Sequence, residues 1–335
     1  MDAKITKQRL GRLLSYDWVK IVALAVAAIV LWSLVFTTTA TRITPAQQFT
    51  VFNYYSNAPL GDGFYNVYNK TFSENKFSYE IIEENVNDLT TGGEEYAGTL
   101  LEARLGTDEG DVMFIPHVND PSTKVDATEE GGEPTYTTYM QGFFNNWYYY
   151  IADVDEYLAD MRAYVSAYYT DGNDVADDNY IDGTMNKEKV RADFLARIER
   201  NKDKRFKKSE QIEAGVLKEY ERFEKYAAAL VQFDKYLADG TVTLTHLQAA
   251  GADGTVYREG NYAVNLCPEN GKTEKLKEQF YYEEEVDGKP KKTAKNMHVM
   301  FFDMKGVENG FQYESLIYVN EVIAAALTDA ASANE

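Results

Sequence analysis

Apolar positions fall along this chain in three patterns. The first is an unbroken run from Ile21 to Phe36. Counted from Trp18, it is 19 residues long. As a helix it would span roughly 28 Å, close to the ~30 Å of a bilayer's hydrocarbon core. The second pattern alternates short strand-like runs with segments of helical spacing. Gln48–Tyr55, Phe77–Glu84 and Gly110–Pro116 read as strands, the last short and apolar as buried parallel strands are. Between them, Phe64, Val67, Tyr68 and Phe72 predict a helix over 64–74, and Tyr96, Leu100, Leu101 and Leu105 a second over 92–105. The order β-α-β-α-β predicts right-handed crossovers and a parallel sheet with helices on its faces. The third pattern is a long stripe, Ile212, Val216, Tyr220, Phe223, Ala227, Leu230 and Phe233, preceded by a second helical face at Val190, Phe194 and Ile198. The charged break Arg200–Lys208 between the two faces predicts a helical hairpin, a mainly helical insertion over about 185–240.

The rest of the chain is punctuated more weakly. Strands are predicted at Thr241–Leu247, Thr255–Arg258, Tyr262–Leu266 and Met297–Met304, with turns at Asp253-Gly254 and Val286–Lys289. A short helix is predicted over Lys272–Tyr281 and a closing amphipathic helix over Tyr313–Leu327. An aromatic-dense stretch, Tyr136–Tyr150, leads into helical spacing at Leu158, Met161, Tyr164 and Val165.

Charge turns the first pattern into a statement about location. Before the apolar run stand Lys4, Lys7, Arg9, Arg12 and Lys20 against Asp2 and Asp17, a net of +3. The whole chain carries −20, which leaves −23 for everything after it. The basic flank predicts a cytoplasmic tail over 1–17, a membrane helix over 18–36, a stalk over 37–47 and an extracytoplasmic domain over 48–335. The predicted location is therefore the cell membrane, single-pass, N-terminus inside. A cleaved signal peptide is the competing reading. The run is longer than the usual ~7–15-residue signal core, and Thr37–Thr41 is a weak cleavage site. So acidic a domain, with no basic patch, argues against nucleic-acid binding. The single cysteine, Cys267, allows no intrachain disulfide and no cysteine-rich zinc site.

Residues 48–116 resemble, in the order and spacing of their elements, the N-terminal lobe of the type II extracellular solute-binding proteins of ABC importers, in particular the carbohydrate-binding group. The resemblance is carried by the strand Phe49-Thr-Val-Phe-Asn-Tyr54, by Tyr96-Ala-Gly-Thr-Leu-Leu-Glu-Ala-Arg-Leu-Gly106, and by Gly110-Asp-Val-Met-Phe114. It implies an α/β, periplasmic-binding-protein-like lobe with a parallel or mixed sheet, carrying the helical insertion and preceded by the transmembrane helix. It also implies a small polar solute, a saccharide in the resembled group, and an ABC permease or other envelope protein as partner.

The chain carries few motifs of chemistry. The three histidines, His117, His246 and His298, form no metal-binding spacing, and no P-loop, GxGxxG or GxSxG is present. The Asp-rich stretch Asp171–Asp182 fails the EF-hand spacing and reads as a solvated loop. The expectation is therefore no enzyme, no catalytic residue, no metal and no cofactor. In open α/β sheets ligands sit beyond the carboxyl ends of the strands. That rule nominates Asn53, Tyr54, Tyr55 and Ser56 after the first strand, and His117, Asn119 and Asp120 after the third. Asp62 is nominated from the first loop. Trp147 and Tyr149 are added because aromatic faces stack on sugar rings. The alternative function is a structural or interaction subunit of a cell-envelope assembly that binds no solute.

Overall fold

The computed structural model describes residues 7, 11, 18–39, 45–53, 60–89, 94–126, 133–170, 176–251, 253–286, 288–303 and 310–327. The chain divides into two units, Met1–Arg42 and Ile43–Glu335, described here separately. In the first, helix α1 (Trp18–Thr39) contains a stretch, Trp18–Phe36, long and apolar enough to cross a membrane. Its large apolar side chains, Leu24 and Trp32 among them, are exposed. A helix apolar on every side has no solvent face to offer water.

The second unit is built on one six-stranded mixed sheet. Strands β1 (Gln48–Asn53), β2 (Glu83–Asp88) and β3 (Val112–Pro116) are parallel, with β1 in the middle. Helix α2 (Asp62–Ser73) carries the chain from β1 to β2, and α3 (Glu94–Leu105) carries it back across to β3. The two crossovers run in opposite directions along the sheet, so a common hand puts their helices on opposite faces. Phe64 and Tyr68 of α2 join one core with Phe49, Val51, Val112 and Phe114; Leu101 and Leu105 of α3 join the other with Phe52, Met113 and Ile115. Strand β3 is buried throughout because both its faces are covered.

Two short strands, β4 (Tyr169–Thr170) and β5 (Thr184–Met185), pair with each other, with the single helical turn α6 (Asn179–Asp182) between them in the chain. The main sheet continues through antiparallel partners, β6 (Thr243–Ala250), β7 (Val256–Asn265) and β10 (Met297–Phe301), giving the order β2-β1-β3-β10-β7-β6. Strand β10 pairs β3 along its whole length, and β7 pairs β10 and β6. Residues 255–266 thus form essentially one strand rather than the two predicted. Helix α4 (Tyr139–Trp147) covers the second core with Met140, Phe143 and Phe144. Helix α5 (Val154–Ser166) and the closing helix α9 (Glu314–Ala326) cover the first.

One predicted strand is displaced. The apolar stretch Phe77–Ile82 is a turn, and the strand is the polar Glu83–Asp88 that follows it. Phe77 and Ile81 enter the first core from the turn, and Ser78 N–H donates to the Glu314 carboxylate at 3.0 Å. β2 is an edge strand with a partly solvated face, so polar residues serve it, while the apolar side chains are claimed by packing outside the sheet.

Helices α7 (Lys187–Asn201) and α8 (Ser209–Ala238) form the expected hairpin. Most of its inward face joins the core of the sheet. Phe223, Tyr226, Leu230 and Phe233 belong to the same cluster as Phe49, Val264 and Val299 of the sheet. A buried charge network fastens it further. Arg197 donates to the Tyr79 hydroxyl at 2.7 Å and to Glu80 and Glu219 at 2.9 Å each. Arg205 donates to the other oxygen of Glu80 at 2.6 Å. Arg222 donates to Glu219, Tyr226 and Tyr164, and the Tyr226 hydroxyl donates to Glu314 at 2.7 Å. Burial alone would raise the Glu219 carboxyl, but Arg222 and Arg197 hold it below its ordinary value.

Candidate functional site

The carboxyl ends of β1, β2, β3 and β7 meet the start of the antiparallel β10 along one rim. Asn53, the last residue of β1, is buried; its amide donates to Asp88 at 3.4 Å and its carbonyl accepts from Leu89 N–H. His117 follows β3 directly. Its backbone N–H donates to Asn296 O at 2.9 Å, and its ring stands edge-on to His298 with centroids 5.4 Å apart. Burial lowers the pKa of His117.

His298 is as fully enclosed as Asn53. Its Nδ1 lies 2.7 Å from Asn296 O and its Nε2 2.9 Å from Thr245 Oγ1. A carbonyl can only accept, so Nδ1 carries the proton, and Nε2 accepts from the threonine hydroxyl. Burial pushes the pKa of His298 down to about 3, against the favourable contact with Asn296 O. A neutral ring with both nitrogens satisfied is a fixed part of the rim and no proton shuttle.

On the other face the rim is filled by Phe280. Its ring stacks on Phe114 with centroids 4.2 Å apart and meets Phe64 edge-on at 5.3 Å. The loop after β1 lies against the same segment, with Gly61 N–H donating to Gln279 O at 2.9 Å. A Cβ on Gly61 would come within 2.2 Å of Glu278 O, and one on Gly63 within 2.6 Å. Glycine is needed here for the approach of two backbones.

Beside this plug a pocket of about 370 Å3 opens at the ends of β7 and β10. It lies between the segment around Cys267 and a hairpin of β8 (Tyr282–Val286) and β9 (Lys289–Thr293). Lys277, Lys291, Lys292 and Lys295 face Glu269, Glu274 and Glu284 around it. Lys295 pairs with Glu269, and Glu283 and Glu284 stand opposite Lys292 and Lys291 across the hairpin, an arrangement that fixes its register. Lys277 has no ion-pair partner among the described residues. Burial raises the thiol pKa of Cys267, and its backbone N–H is held by Asn265 Oδ1 at 3.0 Å. A thiol held protonated is a packing group.

The nominated residues that the structure describes fall at two edges of the sheet. Asn53, His117, Asn119 and Asp120 do lie along the carboxyl rim. Asp120 is engaged as a cap, its carboxylate accepting from Ser122 N–H and Oγ, while Asn119 is exposed. Asp62 is the exposed first residue of α2. Tyr54, Tyr55 and Ser56 lie outside the described residues. Trp147 and Tyr149 are at the opposite edge. Helix α4 starts beside Asn119, which bridges Thr138, and runs back along the sheet. At its far end Tyr150 O accepts from Asp303 N–H, just past the last residues of β10. The lysines and glutamates of the pocket were not nominated. The Glu-rich run, the Asp-Gly turn and the Lys-rich run of 283–295 are the signal that locates their hairpin.

Among the described residues no three His, Cys, Asp or Glu side chains are placed to hold a metal. Residues 171–175 of the Asp-rich stretch lie outside the described residues. The architecture is thus a mixed α/β unit with a six-stranded sheet, in a chain that also has one N-terminal apolar helix long enough to cross a membrane. No protein-family model, curated protein or solved structure matches the chain.

Proposed function

We propose that this chain is a membrane-anchored extracytoplasmic binding protein that takes a small polar solute at the carboxyl rim of its sheet and presents it to a transporter of the ABC type. The observation that carries the reading is the pocket between the Cys267 segment and the β8–β9 hairpin, which lies where α/β sheets bind ligands. Its lining of lysines and glutamates suits a solute with an ionised group better than a saccharide, since no tryptophan or tyrosine lines it. Hinge closure is not part of the proposal, because the helical hairpin shares a core with the sheet.

That shared core also favours the second reading, an interaction subunit of an envelope assembly with no solute. A thermal-shift screen of the full chain in detergent separates them. Amino acids, short peptides, dicarboxylates, sugar phosphates and neutral sugars are the panel. A solute binder gains stability with one class by mass action, and Lys277→Ala together with Lys291→Ala removes the gain. A flat response to every class sinks solute capture and leaves the interaction subunit.

A further inference from the structure

A second pocket lies at the amino end of β2, where the Phe77–Ile82 turn rests on α8. It measures about 600 Å3 and shares no residue with the pocket beside Cys267. Lys218, Glu221, Arg222 and Lys225 line it from α8. At steps of three and four residues they share one face of the helix, and the two lysines stand two turns apart, about 10 Å along its axis. Phe72, Phe77 and Ile81 supply an apolar wall from α2 and the turn. Tyr79 stands beside Lys218, whose ammonium is 5.9 Å from the centre of its ring.

The walls are held in place before anything binds. Ser78 N–H donates to Glu314 at 3.0 Å, and the Lys225 ammonium donates to Phe77 O at 2.8 Å and to Asn75 O. The Tyr79 hydroxyl donates to Glu219 and accepts from Arg197, each at 2.7 Å. A site fixed in this way loses little freedom on binding.

Its charge is not balanced. Arg222, the buried cation of the lining, is matched by Glu219 at 2.6 Å. Among the described residues, Lys218 and Lys225 make no ion pair, and Glu221 is the one acid that lines the pocket. Burial lowers the pKa of Lys225, Lys76 adds to that, and Glu314 and Glu221 offset it only in part. In a chain of net charge −20, this pocket carries a positive excess that an anion would meet. The rest of the lining says which kind. The N–H groups of Ser78, Glu80 and Ile81 are spent on Glu314, Ser78 Oγ and Ser78 O, so the turn adds little for a phosphate to bind. Two ammonium groups beside an apolar wall suit a carboxylate carried on a hydrocarbon body.

We propose that this pocket binds a small organic anion, a carboxylate on an aromatic or branched aliphatic body. The carboxylate sits between Lys218 and Lys225, and the body lies against Phe72, Phe77 and Ile81. The site is separate from the rim pocket and does not depend on the reading given to that pocket.

Phenylacetate is the probe, with phenylacetamide and inorganic phosphate beside it, and the full chain in detergent is followed by thermal shift. Phenylacetate should raise the melting temperature in a saturable way, and the other two should not. Lys218→Glu reverses an exposed charge and should weaken binding roughly three- to tenfold; Glu221→Gln removes an exposed acid and should tighten it about two- to fivefold. Both side chains are exposed, so opposite effects cannot come from misfolding. Lys277→Ala with Lys291→Ala, in the rim pocket, should leave binding unchanged. No response to phenylacetate overturns the proposal, as does an equal response to phenylacetamide or to phosphate. A response abolished by the rim variant, or unmoved by Lys218→Glu and Glu221→Gln, places the ligand elsewhere and overturns it too.

Discussion

Arg222 and Glu219, three residues apart on α8, form an ion pair of 2.6 Å with side chains 0% and 5% exposed. Their helix is long and amphipathic, and the stripe at Val216, Phe223, Tyr226 and Leu230 sets which face turns inward. That face carries both charges into the core as well. Each is satisfied from several elements: Arg222 by Tyr164 and Tyr226, Glu219 by Tyr79 and Arg197. Such a network is costly to desolvate and costlier to break, since removing one member strands the rest.

Glu219→Leu should therefore destabilise the protein by roughly 3–5 kcal/mol, the range for breaking a buried pair by removing one partner. Urea unfolding followed by circular dichroism reads the shift in midpoint. A loss below about 1 kcal/mol, as for an exposed pair, would show that the network is solvated.

Asp111 gives the folded state an opposite kind of charge problem. Its carboxylate accepts from Thr50 N–H at 2.7 Å, but burial raises its pKa to about 8 from an ordinary 3.8. Between those values the folded protein holds a proton that the unfolded chain has lost, so this group lowers stability as pH rises from about 4 to about 8. Asp111→Asn keeps an acceptor for Thr50 and cannot ionise. Its thermal midpoint should be higher than that of the parent at pH 8 and close to it at pH 4. Parallel profiles for the two proteins would contradict the assignment.

His298 works the other way. Its folded pKa lies near 3 and its ordinary value is 6.5, so the unfolded chain takes up a proton first on acidification. The stability it contributes is complete above about pH 6.5 and is lost as pH falls toward 3. In an NMR titration its ring resonances should stay at their neutral positions from pH 8 to pH 4. His298→Gln should flatten the acid limb of the stability profile; a ring that titrates near 6.5 would mean that it is not buried in solution.

Gly61 and Gly98 make a matched pair. Alanine at 61 would place its Cβ 2.2 Å from a backbone oxygen that cannot rotate away, and should cost about 1–3 kcal/mol. Alanine at 98, inside α3, meets nothing within 4 Å and should stabilise by up to about 1 kcal/mol through helix propensity. Thermal melts of the two variants should move in opposite directions.

Much of the fold was readable from local pattern because both faces of the sheet are covered. β1 and β3 had to be nearly continuous apolar runs, and α2, α3 and α8 had to show apolar stripes. The site was less readable. The rule about carboxyl ends pointed to His117, Asn119 and Asp120, yet the pocket is built by Lys277, Glu274 and Lys291 from a segment more than 150 residues later. Nothing local marks a lysine as facing a pocket. The aromatic run 147–150 stands out in the sequence, but its place at the opposite edge follows from the antiparallel course of α4, which no spacing in that run expresses.

Periodicity within a few turns or one crossover is enough to set the apolar helix, the element order of the βαβαβ unit and the helical hairpin. Tertiary structure decided the rest. It chose polar Glu83–Asp88 over apolar Phe77–Ile82 as the edge strand, because core volume and the partners of Ser78 and Glu80 outweighed strand propensity. It fastened the hairpin to the Phe77–Ile82 turn and to α5 through Arg197, Glu219 and Arg222, residues that no apolar periodicity marks. It also set the lysine pocket on one edge of the sheet and the tyrosines on the other, since which edge a side chain reaches depends on the direction of its element and not on its neighbours in sequence.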